Sequence, residues 1–228
     1  LIARLKYFLG ISDLTFCSWQ QFFEKAEAPG FFQNRRVILD IYKFDYKIDS
    51  FAENNKGGFF QFIDYEGQER LSYARTISYL TDNVDIGGFE YFPLSYRLRY
   101  LEVIPKSPIN IHCGIHLGAR ADQLLYMSII ESLRGYAKNN CEITVEILAS
   151  VPVPDLNWIS DQINVSQCYS VVDMRNFYSR CDVIVGACGI SAIERAILGV
   201  TSVNLITTEN QILVAEILQK EFGIDSFD

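Results

Sequence analysis

The chain is poor in the residues that most directly announce a chemistry. It holds two histidines, His112 and His116. No Ser-His-Asp order, HExxH pair or Walker A sequence accompanies them, which removes the commonest hydrolase, zinc-peptidase and nucleotide-triphosphatase signatures. No apolar run reaches the roughly 18 residues that a membrane span needs, and no secretory leader is expected. Lysine-rich runs are missing and the net charge is −8, so non-specific binding to nucleic acid is not expected. The six cysteines (Cys17, Cys113, Cys141, Cys168, Cys181, Cys188) form no CxxC pair. Dispersed beside apolar strands, they read as reduced core residues of a cytoplasmic protein. His112, Cys113 and His116 are close in sequence, but no second Cys/His group completes a zinc site, so no metal and no cofactor is expected. Repeats and low-complexity segments are also absent.

What is present is globular. Apolar residues make up 49% of 228 and aromatics 14%, enough for one large domain or two smaller ones. The second half alternates. Strands are expected at 108–113, 142–148, 164–169, 182–185 and 202–206. Helices are expected at 121–138, 155–161, 173–180, 189–198 and 210–221, from apolar spacing. Strand–helix alternation with short turns predicts a parallel sheet. The first half is less regular, with an opening helix at 1–9 and strands at 13–19, 37–39, 59–63 and 77–80. It fits a second α/β domain that lacks its first strand. The chain opens without Met in a helix already under way, so a truncated start is expected. Two prolines within 103–108 mark the linker. The reading is therefore an α/β protein of two Rossmann-like domains, 1–104 (incomplete) and 105–228.

Polar residues cluster where open α/β sheets bind ligands, at the carboxyl ends of strands. Gly186-Ala187-Cys188-Gly189 follows an apolar strand and precedes a helix. Such a turn lets backbone approach an anion, with the amides of Ile190, Ser191 and Ala192 facing it; it is equally a tight strand-to-helix turn. Ser191 and Glu194 have the spacing of a capping box, and Glu194 could instead accept from ribose hydroxyls. Thr208 and Gln211 repeat that spacing, while Asn210 and Gln211 offer amide groups suited to a sugar. The loop expected after the strand at 108–113 carries Gly114, His116 and Gly118; it would approach a phosphate, or be a solvated loop. Asp40 and Asp64 each end an apolar strand and are the candidates for a catalytic base, or simple turn formers.

Taken together, residues 182–195 (Asp-Val-Ile-Val-Gly-Ala-Cys-Gly-Ile-Ser-Ala-Ile-Glu-Arg), Gly199 and Asn210-Gln211 resemble the C-terminal signature of the UDP-sugar hydrolases of pseudaminic acid biosynthesis. These belong with the GT-B glycosyltransferases, in the superfamily of the lipid II-forming UDP-GlcNAc transferase. The resemblance covers most of 108–220 and continues thinly through 37–42, 62–64 and 88–91. It implies a GT-B-like fold. It also implies backbone contacts from Gly189, Ile190 and Ser191 to a pyrophosphate, ribose binding by Glu194, sugar contacts from Asn210 and Gln211, and closure of the Cys113-Gly114 loop over the phosphates. The family's catalytic histidine lies in an N-terminal Gly-His-x-x-Arg turn, which this chain does not contain, so the base is unknown. The implied activity is release of UDP from a UDP-diacetamido-trideoxy hexose. A GT-B glycosyltransferase using a UDP-amino sugar, or a catalytically silent nucleotide-sugar-binding relative, are the alternatives. The expected partner is a UDP-sugar; the oligomeric state is not addressed by the sequence.

Overall fold

A computed structural model describes residues 19–26, 36–39, 46–55, 58–63, 68–81, 83–92, 94, 98, 110–118, 122–149, 153, 163–168 and 174–228. The chain divides into two compact units, Leu1–Pro93 and Leu94–Asp228. Asp40, Asp64, the opening helix, the 103–108 linker and the helix expected at 155–161 lie outside the described residues.

In the first unit, helix α1 (Trp19–Ala26) precedes strand β1 (Val37–Leu39), helix α2 (Tyr46–Asn54) and strands β2 (Phe59–Phe62), β3 (Arg75–Ser78) and β4 (Ile86–Gly87). Among the described residues these strands form a four-stranded sheet in the order β1-β2-β3-β4, parallel throughout. A parallel strand is covered on both faces. Every residue of β2 is accordingly buried. Phe59 packs with Phe22, Leu39, Ile48, Ala52 and Leu71 on one face, and Phe60 and Phe62 pack with Ile77 on the other. The polar member, Gln61, is bonded at both ends: its amide nitrogen donates to Glu69 O (2.7 Å) and its oxygen accepts from Leu71 N (2.9 Å). Trp19, read as the end of a strand, instead opens α1. Helix α2 was not foreseen, because its Tyr-Lys-Ile-Asp-Ser-Phe run offers few apolar residues at helical spacing.

The second unit runs β5 (Asn110–His116), α3 (Gln123–Asn140), β6 (Glu142–Leu148), β7 (Ile163–Cys168), α4 (Met174–Arg180), β8 (Val183–Ala187), α5 (Ile190–Ile197), β9 (Ser202–Leu205), α6 (Ile212–Phe222) and β10 (Ser226–Phe227). A 3-10 turn, Glu209–Gln211, leads into α6. The described strands form one six-stranded parallel sheet in the order β10-β9-β8-β5-β6-β7. Alternate side chains sort to the two faces. Cys113, Ile115, Ile143, Val145, Ile147 and Ile163 pack with Tyr126, Ile130 and Ala137 of α3. Leu148 and Ile184 pack with Phe177 and Tyr178 of α4, Cys181 and Leu98. Asp122 caps α3, its Oδ1 accepting from Leu124 N at 3.0 Å, and Gly223 ends α6 in the left-handed conformation (φ 65°).

The strand order reverses at β5: β6 and β7 lie to one side, β8 to β10 to the other. This is a topological switch point, the place where an open α/β sheet leaves a crevice beyond its carboxyl ends. It falls between His116 at the end of β5 and the turn that follows β8.

One expectation is corrected here. Residues 114–116 are not loop. Gly114 and Ile115 pair with Glu146 and Ile147 on one side and with Ile184 and Val185 on the other, and His116 pairs with Gly186. Gly114 is therefore an interior strand residue. A Cβ there would lie 2.7 Å from Cys181 Sγ and 2.9 Å from the Phe177 ring, so this glycine serves the packing of α4 on the sheet. Overpacking of this kind costs typically about 1–3 kcal/mol. Gly114→Ala is expected to lower the urea-unfolding free energy by about that amount; an unchanged midpoint and slope would show that Phe177 moves aside freely.

Candidate functional site

The chain leaves β8 through Cys188 and Gly189 and enters α5. Cys188 N donates to Leu205 O (2.7 Å), carrying the β8–β9 pairing one residue into the turn. Gly189 is the N-cap, in extended conformation, and supplies no side-chain acceptor. The first amides of a helix have no partner a full turn back; Ala192 N, expected to face an anion, instead donates to Gly189 O (2.9 Å), and no side chain caps the amides before it. With the aligned peptide dipoles, they present a partial positive charge at the sheet's switch point.

The capping box expected from Ser191 and Glu194 is not formed. Helix α5 begins at Ile190, so Ser191 already lies inside the first turn and Glu194 a turn further on. Glu194 instead accepts from the Tyr178 hydroxyl through Oε2, at a long 3.4 Å. Burial pushes the Glu194 carboxyl up, while the Tyr178 hydroxyl and the Arg195 guanidinium counter it. Tyr178 is raised to about 12, by burial first and then by Glu194. A neutral donor fixing one carboxylate oxygen leaves the other as an acceptor for a ligand hydroxyl.

The second polar turn half-fulfils its box. Gln211 reaches back, but to Thr207 rather than to Thr208: its Oε1 accepts from Thr207 N (2.9 Å) and Thr207 Oγ1 (3.2 Å). The Thr208 hydroxyl donates to Asn210 Oδ1 (2.7 Å). A backbone N–H can only donate, so the Gln211 atom facing Thr207 is the oxygen. With those oxygens engaged, the amide nitrogens of Asn210 and Gln211 are the groups left to meet a ligand's acceptors.

Beside His116 and Gly186, which the sequence motifs brought forward, the structure adds Asn204 and Ser226 and shows where Arg195 lies. His116, Gly186, Asn204 and Ser226 are register neighbours across β5, β8, β9 and β10. Arg195 of α5 lies on this row and is completely buried. Its Nη2 donates to Asn204 Oδ1 (2.8 Å) and Ala187 O (3.2 Å), while Nε and Nη1 have no partner. Asn204 Nδ2 and His116 Nδ1 are likewise buried and unpaired. Ser226 Oγ lies 3.4 Å from Cys188 Sγ in the turn. The signal available beforehand was the alternation Ser202-Val203-Asn204-Leu205, which puts two polar residues on one face of a central strand.

A separate group forms near the amino ends of β5 and β8. His112 Nε2, a Glu146 carboxylate oxygen and Cys181 Sγ lie within 4.8 Å of one another, a donor set that zinc accepts. Arg180 already clamps Glu146, through Nη2 (2.6 Å) and Nε (3.3 Å), so that carboxylate's charge is met within the protein. The His112 backbone is held by Asp182, whose Oδ2 accepts from His112 N at 2.7 Å.

No family profile matches the chain, and no curated protein matches it. Solved structures do. MurG of Acinetobacter baumannii superposes with a TM-score of 0.60 at 13% identity, over 92% of this chain and 63% of that one. The spinosyn rhamnosyltransferase SpnG, solved with thymidine diphosphate, gives 0.38 at 12% identity over 87% and 55%. The glycosyltransferase SnogD of Streptomyces nogalater gives 0.36 at 13% over 75% and 44%. The last two likenesses are too loose to argue from. The chain thus spans 63% of the length of the MurG chain it matches.

Burial, and then the Arg195 guanidinium, hold the His116 imidazole down at about 4 from its ordinary 6.5. Between those values the unfolded chain binds a proton that the folded one refuses. Stability is therefore full above about 6.5 and falls as the pH drops toward 4, by at most about 3 kcal/mol from this residue. In urea unfolding at pH 7 and pH 4.5, His116→Gln should lose less stability on acidification than the wild type; equal losses would exclude the assignment. As to kinship, the two parallel-sheet units and the MurG superposition identify the chain's architecture as α/β and GT-B-like.

Proposed function

We propose that the chain is the nucleotide-sugar-binding part of a GT-B glycosyltransferase that uses a UDP-amino sugar donor. The observation carrying this is the uncapped start of α5 at the switch point of a parallel sheet, on a fold shared with MurG. Bond cleavage at the anomeric carbon leaves negative charge on a diphosphate. Helix amides fixed in advance stabilise that charge without reorganising. In this reading the amides of Gly189, Ile190 and Ser191 face the diphosphate, the free oxygen of Glu194 accepts from the ribose, and the amide nitrogens of Asn210 and Gln211 donate to the sugar. His116, at the end of β5, lines the same crevice. Asp40 and Asp64 are proposed as the candidates for the base that deprotonates the acceptor.

The sequence resemblance favours a second reading, hydrolysis, in which water takes the acceptor's place; the structural likeness to MurG favours transfer. Incubating the protein with UDP-N-acetylglucosamine and related UDP-amino sugars, with and without a sugar or lipid acceptor, separates them. UDP release that depends on the acceptor is the expected result, release without one establishes hydrolysis, and binding without release leaves a silent module.

The residue roles are checked by calorimetry. Glu194→Ala should weaken UDP binding by about 1–3 kcal/mol, the cost of leaving a buried polar partner unmet; a folded variant with wild-type affinity would remove Glu194 from the site. Asn210→Ala and Gln211→Ala should leave UDP affinity within about threefold while reducing discrimination between UDP-sugars. Unchanged discrimination would confine both residues to holding the turn.

A further inference from the structure

Arg195 is 0% exposed. Taking a cation out of water costs several kcal/mol even after relaxation, unless charge and hydrogen bonds compensate it. Compensation here is partial. Both hydrogen bonds of the guanidinium go through Nη2, to an amide oxygen and a backbone carbonyl, and neither acceptor is ionised. Two donor groups, Nε and Nη1, remain unpaired. The part-buried Glu194 carboxylate and the Tyr178 hydroxyl also act on the guanidinium, so Glu194 offsets part of its charge; on the sheet side His116 is held neutral, and Asn204 turns an unpaired nitrogen, not a second oxygen, into the same interior.

The position is also specific. A Cβ on Gly186 would lie 2.6 Å from Nη2 and 2.7 Å from Cζ, so the guanidinium occupies the space that a side chain on β8 would fill. Its bond to Ala187 O ties it to the last residue before the Cys188–Gly189 turn. Directly beyond that turn stands the uncapped amino end of α5. A helix start and a fixed cation, both positive, are thus assembled in an acidic protein around one turn.

We infer that Arg195 is the buried counter-charge for the ligand's diphosphate, and that it also holds the β8–α5 turn through Ala187. This rests on the nucleotide-diphosphate reading above. Arg195 does not have to touch the ligand. It is a positioning residue, acting through the turn and through its field, which the low-dielectric interior screens weakly. The diphosphate adds its negative charge to that of Glu194 beside a guanidinium with two unpaired donors, which is why removing Arg195 should affect a nucleotide by its phosphates and not by its base.

The test is titration calorimetry of the full chain with UDP, inorganic pyrophosphate and uridine, for wild type, Arg195→Met, Arg195→Lys and Gly186→Ala, at low and high salt. Arg195→Met should weaken UDP and pyrophosphate by roughly tenfold or more and leave uridine within about twofold. Arg195→Lys should retain most of the UDP affinity, since it keeps the charge. The deficit of Arg195→Met should persist at high salt, because the charge is buried. Gly186→Ala keeps the cation but drives it off the strand, and should lose UDP affinity selectively; it carries the test if Arg195→Met does not fold by circular dichroism. Equal UDP affinity in wild type and both Met and Ala variants would overturn the inference alone. So would parallel losses for UDP and uridine, which mark a mere prop. A wild type that binds neither UDP nor pyrophosphate would overturn the nucleotide reading itself.

Discussion

Arg195 brings a full positive charge into the interior of the second unit, where a parallel sheet ordinarily presents only apolar side chains to its helices. Three features of the surrounding chain answer to that one group. Gly186 leaves the strand bare so that the guanidinium can lie on it. Asn204 supplies an oxygen at the neighbouring register position of β9. The Ala187 carbonyl is drawn to Nη2. Helix α5 is thereby fixed to β8 and β9 by directional bonds as well as by the packing of Ala192 and Ile193, both fully buried. Directional bonds set the height and rotation of a short helix better than apolar contact does, since the hydrophobic effect has no preferred direction. The anion contact proposed for its amino end requires that precision.

Much of this fold was legible in the order of the residues. Strands β6, β7, β8 and β9 and helices α3, α4 and α5 stand within a few residues of the ranges expected from apolar spacing, because long periodic segments flanked by turn residues have few alternatives. The exceptions have physical causes. Strand β5 runs on to His116 because Gly114 is needed small for Phe177 and Cys181, a requirement set by a helix more than sixty residues away and invisible to any local window. Strand β10 consists of two residues and has no period to detect; it exists because β9 would otherwise be an open edge.

The candidate site was legible in part. Composition and turn chemistry placed Gly189, Ile190, Ser191, Glu194, Asn210 and Gln211 on two turns at strand ends, and those turns stand at the carboxyl edge of one sheet. What spacing could not decide was which hydrogen bonds are made. Ser-x-x-Glu reads as a box in any helix start, yet α5 begins two residues too early for it, so Glu194 turns to Tyr178. The Thr208–Gln211 box shifts by one residue in the same way, because a 3-10 turn intervenes before α6. Arg195 closes the quoted 182–195 signature but was given no role. An arginine beside a glutamate on a helix reads as a surface pair, and only the empty face of Gly186, nine residues earlier, shows that it turns inward.

Strand β10 also has a bearing on the β8–α5 turn. Ile206 N donates to Phe227 O, and Ser226 sits against Cys188. Residues 226 and 227 are thus stitched to the turn that follows β8 and to the end of β9. A substitution in this two-residue strand therefore reaches the Cys188–Gly189 turn without touching β8 or α5.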